Sequence, residues 1–568
     1  PGLPVNTLRS RRNPFSTGAM HVLSAHCVLL PVLVLLARVA ALTEQSKPKA
    51  ISVAQSGRHT SGRRMPFFRR PVGVNLGGWL CLEDWFFSGP TGRYVATPDP
   101  EGQGACLPPL LPHAEQPWPS EGILVHRLQE AYGDAGTVEI FEAHRHSFVQ
   151  DSDLRKIGEL GVSLVRVPLN WVAFAYALAP LAPAVYGAYN PANESVLVPD
   201  PYYVNTSSFV TIPTDWLKEL LLRGHRYGLK FILDLHAFPG GSSDGTYNGV
   251  WPQPPAFWNS RTRIGDTSVS LQSTGLMIVK ALVDWAETLT GPARHALAGL
   301  TLMNEPAHLA AINGMDPPFA KPQQVLRWLG NATNVFFSSS LPGRGVKLYM
   351  NLIGTAFPPG EFYNITVPWW NGLLSSYARH NQAVFDVHWY AAWSGKQGAI
   401  GTVPGNVRAL CDQPVEELRK ILQIEVEHYA YEFSAWVDGL KSCSEYSMGT
   451  NQDAALACND LDVTTAFLDA ELEVMANYSI EPFFWTWKMP YGPTFERGWS
   501  LKANAQMEEQ PPPHPCSLAS SSSLEQRQRS ALGASGAGPF FVHGPGKLAG
   551  LPHAPRDLWA KLVREVFD

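Results

Sequence analysis

Eight short apolar segments, separated by stretches of helical spacing, narrow the folds open to this chain more than any other feature. They are Pro71–Leu76, Leu164–Val167, Lys230–Leu235, Leu300–Met303, Val346–Leu352, Val384–Trp389, Tyr429–Glu432 and Pro482–Trp487. Apolar runs of this length, bounded by punctuation, read as strands buried on both faces, as in a parallel sheet. Between them, Ser152–Leu160 carries Leu154, Ile157 and Leu160 on one helical face, and Pro213–Tyr227 begins with a Thr-Asp cap. Val269–Leu289, Gln323–Ser339, Pro414–Gln423 and Leu461–Tyr478 continue the helical pattern. Strand–helix alternation repeated in this way predicts an α/β protein, a (β/α)8 TIM barrel. Two long insertions, Ser88–Ile123 after the first strand and Tyr176–Pro213 after the second, follow carboxyl ends of strands and are expected to wall the barrel mouth.

The expected chemistry lies at those carboxyl ends. In Thr301–Pro306, TLMNEP, an apolar run ends in a carboxamide, a carboxylate and a proline that cannot donate to a ladder. Other polar residues gather at similar places: Arg166 in LVRVP, His236 closing FILDLH, His388 and Tyr390 in VFDVHWY, Glu432 in YAYEFSAW, and Trp485 and Trp487 in FFWTWK. Each alone has a structural explanation, as a core ion pair, a satisfied histidine or packing. Together, two carboxylates flanked by Arg, His, Tyr, Asn and Trp are hard to explain by core stability. Cleaving a β-glycosidic bond needs a proton on the leaving oxygen and electron density at the anomeric carbon, hence two carboxyls in opposite protonation states. An Arg lowers one of them, and the resulting negative charge is expected to raise the other. No metal spacing, phosphate loop or nucleophile elbow competes, so neither a metal nor a cofactor is expected.

Composition bears on compartment and partners. A net charge of −5 gives no electrostatic footprint for nucleic acid or an anionic membrane surface. The 18 Trp suit a protein that stacks indoles on weakly polar sugar rings. CVLLPVLVLLA (Cys27–Ala37) followed by Arg38-Val39-Ala40-Ala41 has the length of a secretory h-region, with small residues that suit cleavage after Ala41. A signal peptide over about residues 20–41, from Met20, is therefore expected within residues 1–41. An uncleaved anchor flanked by Arg9, Arg11 and Arg12 is the alternative. Five sequons, at Asn193, Asn205, Asn331, Asn364 and Asn477, also suggest secretion. So do the six remaining cysteines, Cys81, Cys106, Cys411, Cys443, Cys458 and Cys516, an even set without metal spacing that allows fifteen pairings. Residues 42–66 read as a linker, 67–509 as the catalytic barrel and 510–553 as a low-complexity tail. In residues 554–568, Leu558, Leu562, Val563 and Val566 return to helical spacing.

The chain resembles the family-five glycoside hydrolases, especially the exo-β-1,3-glucanase branch. The resemblance covers roughly Pro71–Lys502 and is carried by GVNLGGWLCLEDW (Gly73–Trp85), LVRVPLNWVAF (Leu164–Phe174), ILDLHAFPG (Ile232–Gly240), LMNEP (Leu302–Pro306), HWY (His388–Tyr390), EFSAW (Glu432–Trp436), FWTWK (Phe484–Lys488) and GWSLK (Gly498–Lys502). It implies Glu305 as acid/base and Glu432 as nucleophile, with Arg166 and Tyr390 bonded to that nucleophile and Asn304 on the sugar 2-hydroxyl. His236 and His388 line the subsite of the cleaved sugar, Trp485 floors it, and Glu83 holds the far hydroxyls of the terminal glucose. The family's Gly and Trp flanking the nucleophile are replaced by Tyr431 and Phe433. Where the family places its bridges suggests Cys411–Cys516 and Cys443–Cys458, leaving Cys81–Cys106. The implied protein is a monomeric secreted or cell-wall enzyme acting on a β-glucan polysaccharide or oligosaccharide, without stable membrane insertion. An endo-acting β-glucanase, a glucosidase of glycolipid or sterol conjugates, and a non-hydrolytic wall-binding barrel remain the alternatives.

Overall fold

A computed structural model describes residues 71–83, 120–243, 245–306, 320–352, 359–390, 414–449, 460–489 and 497–506. Among them eight parallel strands close into a barrel: β1 (Gly73–Asn75), β2 (Leu164–Leu169), β3 (Lys230–Leu235), β4 (Leu297–Thr301), β5 (Lys347–Asn351), β6 (Ala383–Trp389), β7 (Leu440–Tyr446) and β8 (Ile480–Phe484). Each strand pairs with its neighbours in sequence, and β1 closes on β8 through Gly73↔Phe483. The expected TIM barrel is the observed fold. A Cβ on Gly73 would meet the Phe483 ring at 2.1 Å, so only glycine lets that ring fill the barrel floor. Phe483 meets Tyr349 edge-on there, beside Ile232 and Val384.

Helices α1 (Glu121–Phe148), α2 (Asp151–Leu160), α3 (Thr214–His225), α4 (Leu271–Thr288), α5 (Pro322–Phe337), α6 (Pro359–Leu373), α7 (Val415–Trp436) and α8 (Leu461–Asn477) form the longer outer elements. The one misplaced strand is the seventh. Tyr429–Glu432 lies inside α7, because Leu418, Leu422, Val426, Ala430 and Phe433 recur at helical spacing and are all buried. That periodicity continues through the short aromatic run and overrides its local strand preference. The true seventh strand, LKSCSEY, has too few apolar residues to announce itself.

The insertion after β2 contains an antiparallel hairpin, Leu197–Pro199 with Ser208–Val210. Arg145 of α1 donates to the carbonyls of Val210 and Thr211 at 2.7 and 2.6 Å, and Asp200 accepts from the Gly240 amide at 2.8 Å. The wall is thus tied to the helical layer and to the loop after β3. Cys81 and Cys443, expected in bridges, are buried free thiols. Cys443 Sγ sits 3.3 Å from the Glu445 carbonyl, enclosed by the barrel wall. Cys106, Cys411, Cys458 and Cys516 lie outside the described residues, as do residues 1–70 with the expected signal and linker, most of the first insertion, and the tail from 507. The five sequon asparagines are exposed, with Asn331, Asn364 and, at its last residue, Asn477 on helices rather than loops. No helix among the described residues is long and apolar enough to cross a membrane.

One buried ion cluster fastens the barrel's closing loop. Asp153 near the start of α2 accepts from Lys488 and Lys502 at 3.0 and 2.9 Å and from the Trp487 indole at 3.0 Å. Burial opposes its ionisation, but the two ammonium groups and the indole more than offset this and hold the carboxyl well below the usual range. Asp153→Asn is expected to cost ~3–5 kcal/mol, as for other broken buried pairs, read by denaturant unfolding. The contribution is present above the unfolded value of about 3.9 and is lost as pH falls towards the lower folded value, so the wild-type advantage should shrink in acid.

Candidate active site at the barrel mouth

Arg166 is the centre of the site. It sits on β2 beside Asn75 of β1 in register and is completely buried. Its Nη1 donates to Glu445 Oε1 at 2.5 Å and to Asn75 Oδ1 at 3.0 Å. Its Nη2 donates to Asn304 Oδ1 at 2.7 Å and lies 3.0 Å from Asp234 Oδ2. Burial alone would lower the guanidinium, but Asp234, Glu445 and Asp386 raise it further, so it stays charged.

Asn304 and Glu305 follow β4 where regular pairing stops. Glu305 adopts a left-handed backbone, φ 36°, which a non-glycine residue holds only when its surroundings impose it. Asn351 Oδ1 accepts from its amide at 2.8 Å, and the Ser243 hydroxyl donates to its carbonyl. The Glu305 side chain is then in contact with His388, Nδ1 to Oε1 at 2.6 Å.

Glu432 is not at this site. On α7 it faces His428 at 3.9 Å in the outer layer. The carboxylate that meets Glu305 is Glu445 at the end of β7. It accepts from Arg166 and, at 2.7 Å, from Tyr390, the two partners expected of the nucleophile. Carboxylate oxygens of Glu305 and Glu445 and a ring nitrogen of His388 lie within 4.8 Å of one another. Such a trio has the donors for a cation, but Arg166 already supplies positive charge beside Glu445.

The bulge in β7 explains how Glu445 comes to face the mouth. Val387 pairs with Cys443 and His388 with Glu445, so Ser444 is the extra residue. Strict alternation would send Ser444 and Glu445 to opposite faces; a bulge re-aims both.

His236, Trp485 and Glu83 stand together beside this cluster. The Trp485 ring lies parallel to His236, centroids 5.7 Å apart, and Glu83 Oε1 stands 3.9 Å from His236 Nε2. Tyr247, which edges onto His236 at 5.8 Å, was not anticipated. Asp234 and Asp386 were also missed, although D-x-H occurs in both ILDLH and FDVHWY. Two-residue periodicity seats each Asp below its His on the same face. Asp234 Oδ2 lies 2.6 Å from His236 Nδ1.

Burial works against protonating either histidine, yet Asp234 raises His236, and Glu445 and Glu305 raise His388. Glu305 departs from expectation. Burial favours its neutral form, but the hydrogen bond and charge of His388, then His236 and Tyr247, draw it below the ordinary carboxyl value. Its immediate neighbour is an imidazole rather than the second carboxylate. Tyr390 is pushed up by burial and by Glu445, so it remains a donor.

No family model matches the chain. Among curated proteins it is similar to the glucan 1,3-beta-glucosidase of Blumeria graminis, 21% identical over 444 residues that cover 74% of this chain and 83% of that protein. It is also similar to the probable glucan 1,3-beta-glucosidase A of Aspergillus clavatus, 24% identical over 453 residues that cover 76% and 84%. Among solved structures, the rutinosidase from Aspergillus niger aligns with a TM-score of 0.47 at 16% identity, across 78% of this chain and 97% of that one.

The electrostatics can be read directly by NMR. In the folded protein His388 should titrate above its ordinary value of about 6.5. Glu445→Gln removes the largest raising influence on it. The His388 midpoint should therefore fall in that variant, while His236, governed first by Asp234, should move less.

Proposed function

We propose, from the premise that this chain is related to the glycoside hydrolases of family five, that it is a secreted glucan 1,3-β-glucosidase releasing glucose from non-reducing ends with retained configuration. The observation that carries the reading is the close opposition of Glu305 and Glu445, whose oxygens lie within 4.8 Å. That spacing favours retention, for which carboxyls sit ~5–5.5 Å apart, over inversion, which needs ~6.5–9.5 Å to admit a water.

Glu445, oriented by Arg166 and Tyr390, attacks the anomeric carbon as the bond to the leaving oxygen breaks. Glu305 delivers its proton to that oxygen, and the leaving sugar departs as an alcohol. Water then enters, gives a proton to Glu305 and displaces Glu445, which restores both carboxyls. Asn304, held by Arg166 at 2.7 Å, binds the 2-hydroxyl in this reading. His236, Trp485 and Glu83 bound the subsite for the terminal sugar. An acidic residue there suits exo action, because it caps the non-reducing end of the cleft. Secretion is supported by the apolar leader at Cys27–Ala37 and by five exposed sequons.

Two substitutions separate the candidate nucleophiles. Glu445→Gln should abolish turnover of every glycoside, whereas Glu432→Gln, on the outer helix away from the site, should leave kcat within about twofold. Activity surviving in Glu445→Gln would sink the assignment. Glu305→Gln should lose ~10²–10⁴-fold on laminari-oligosaccharides. It should still be glycosylated by a dinitrophenyl glucoside, with azide then giving the β-azide.

Glu83→Gln tests exo action. It should raise KM for laminari-oligosaccharides roughly tenfold or more, the worth of a charged hydrogen bond, with kcat little changed. Oligosaccharides rather than glucose as first products from laminarin would favour the endo-acting alternative.

A further inference from the structure

Behind the Glu305–His388 contact lies a second line of polar groups. Asp386 is fully buried on β6. It accepts from Asn351 Nδ2 at 3.0 Å, from Ser442 Oγ at 2.6 Å, from the Ser444 amide at 2.9 Å, and from the Ser444 hydroxyl. Asn351 Nδ2 and the Ser444 amide can only donate, and with Asp386 accepting throughout, the two serine hydroxyls donate as well. The single proton of the Ser444 hydroxyl is therefore committed to Asp386. His388 Nε2 lies 3.0 Å from the same Ser444 oxygen and must be the donor, since two acceptors facing each other without a proton would repel. The imidazole thus carries its fixed proton on Nε2, and Nδ1 faces Glu305 at 2.6 Å.

We propose that Ser444 is a positioning residue for the acid/base. Its hydroxyl links Asp386 to His388, fixes the Nε2–H form of the ring, and makes Nδ1 share with Glu305 the one proton that goes to the leaving oxygen. The proposal rests on Glu305 being the acid/base. Proton count balances. The pair begins as Glu305–H with neutral His388, or equivalently as Glu305 carboxylate with imidazolium. After delivery it is Glu305 carboxylate with neutral His388, and the water that hydrolyses the glycosyl ester on Glu445 returns the proton.

The bulge makes this possible. Ser444 is the residue with no partner across β6, and the bulge lets its side chain reach His388 and Asp386 while Glu445 faces the mouth as well. The charged and titratable groups facing His388 are Glu305 from the end of β4, Asp386 from β6 itself and Glu445 from β7; Tyr390 and Arg166 reach it through Glu445. All three carboxylates favour a proton on the ring, which agrees with its raised affinity.

Ser444→Ala, Ser444→Thr and wild type are compared on phenyl and dinitrophenyl glucosides across pH. Ser444→Ala should lose roughly tenfold, one hydrogen bond's worth, on the phenyl glucoside, whose leaving group needs a proton. The dinitrophenyl glucoside, which needs none, should be cleaved almost as fast as by wild type in the glycosylation step. The basic limb of kcat/KM should move to lower pH, because the pair gives up its shared proton more easily once no Ser444 hydroxyl accepts from Nε2–H. Ser444→Thr should restore both. Ring ¹⁵N shifts of His388 in wild type and Ser444→Ala provide a reading independent of turnover, with the Nε2–H signature expected only in wild type. Equal losses on both substrates with an unmoved basic limb, or a wild-type ring with no proton on Nε2, would overturn the proposal. Absence of any glucoside cleavage by wild type would instead refute the glycosidase reading, while the ¹⁵N shifts still decide the Ser444 link.

Discussion

The structure depends above all on one buried guanidinium. Removing an arginine from water costs several kcal/mol unless partners surround it, and Arg166 on β2 meets this with groups from four other strands or their ends. Asn75 comes from β1, Asp234 from β3, Asn304 from the end of β4 and Glu445 from β7. The same contacts that compensate for burial also set the position of the candidate nucleophile and of the residue beside the candidate acid/base. A planar fork does this where a flexible ammonium would not. Stability of the barrel mouth and orientation of the site are thus one set of interactions.

Charge around that arginine is not balanced by the arginine alone. Asp234, Asp386, Glu305 and Glu445 crowd one end of the barrel, all but Glu305 almost completely buried. The two histidines complete the balance. Each stands two residues beyond an aspartate on its own strand, and each takes up protons more readily than a free imidazole because carboxylates face it. Glu305 therefore faces a histidine at 2.6 Å rather than standing as an isolated, desolvated carboxyl.

The outer wall steadies the segment that bears Glu83. Glu121 at the start of α1 is buried and accepts from the Leu82 amide at 2.8 Å, one residue before Glu83. Arg145 of the same helix reaches the hairpin of the second insertion. A helix outside the barrel thus holds both the segment that bears Glu83 and the loop beside it.

Much of this was legible in the residues themselves. The apolar runs of seven strands, the N-E-P at the end of β4, the Arg in LVRVP and the H-W-Y that closes β6 lie where their patterns put them, because burial on both faces leaves a continuous apolar signature and the site residues interrupt it. The D-x-H pairs were visible too, had two-residue periodicity been applied inside the barrel. Glu445 was not. Its strand is rich in serine, since Ser442 and Ser444 serve Asp386 rather than an apolar core, so no hydrophobic run marks it. A bulge also removes its side chain from the alternation that any pattern assumes. Glu432 has the more familiar surroundings, yet its helix buries Phe433 and Ala430 and leaves the carboxylate in the outer layer. Sequence alone determined the barrel and one carboxylate of the pair. Which second carboxylate meets it was decided only by the tertiary structure, because a bulge's register is set by the neighbouring strand and the Arg166 that pairs with the buried charge lies 279 residues away in the chain.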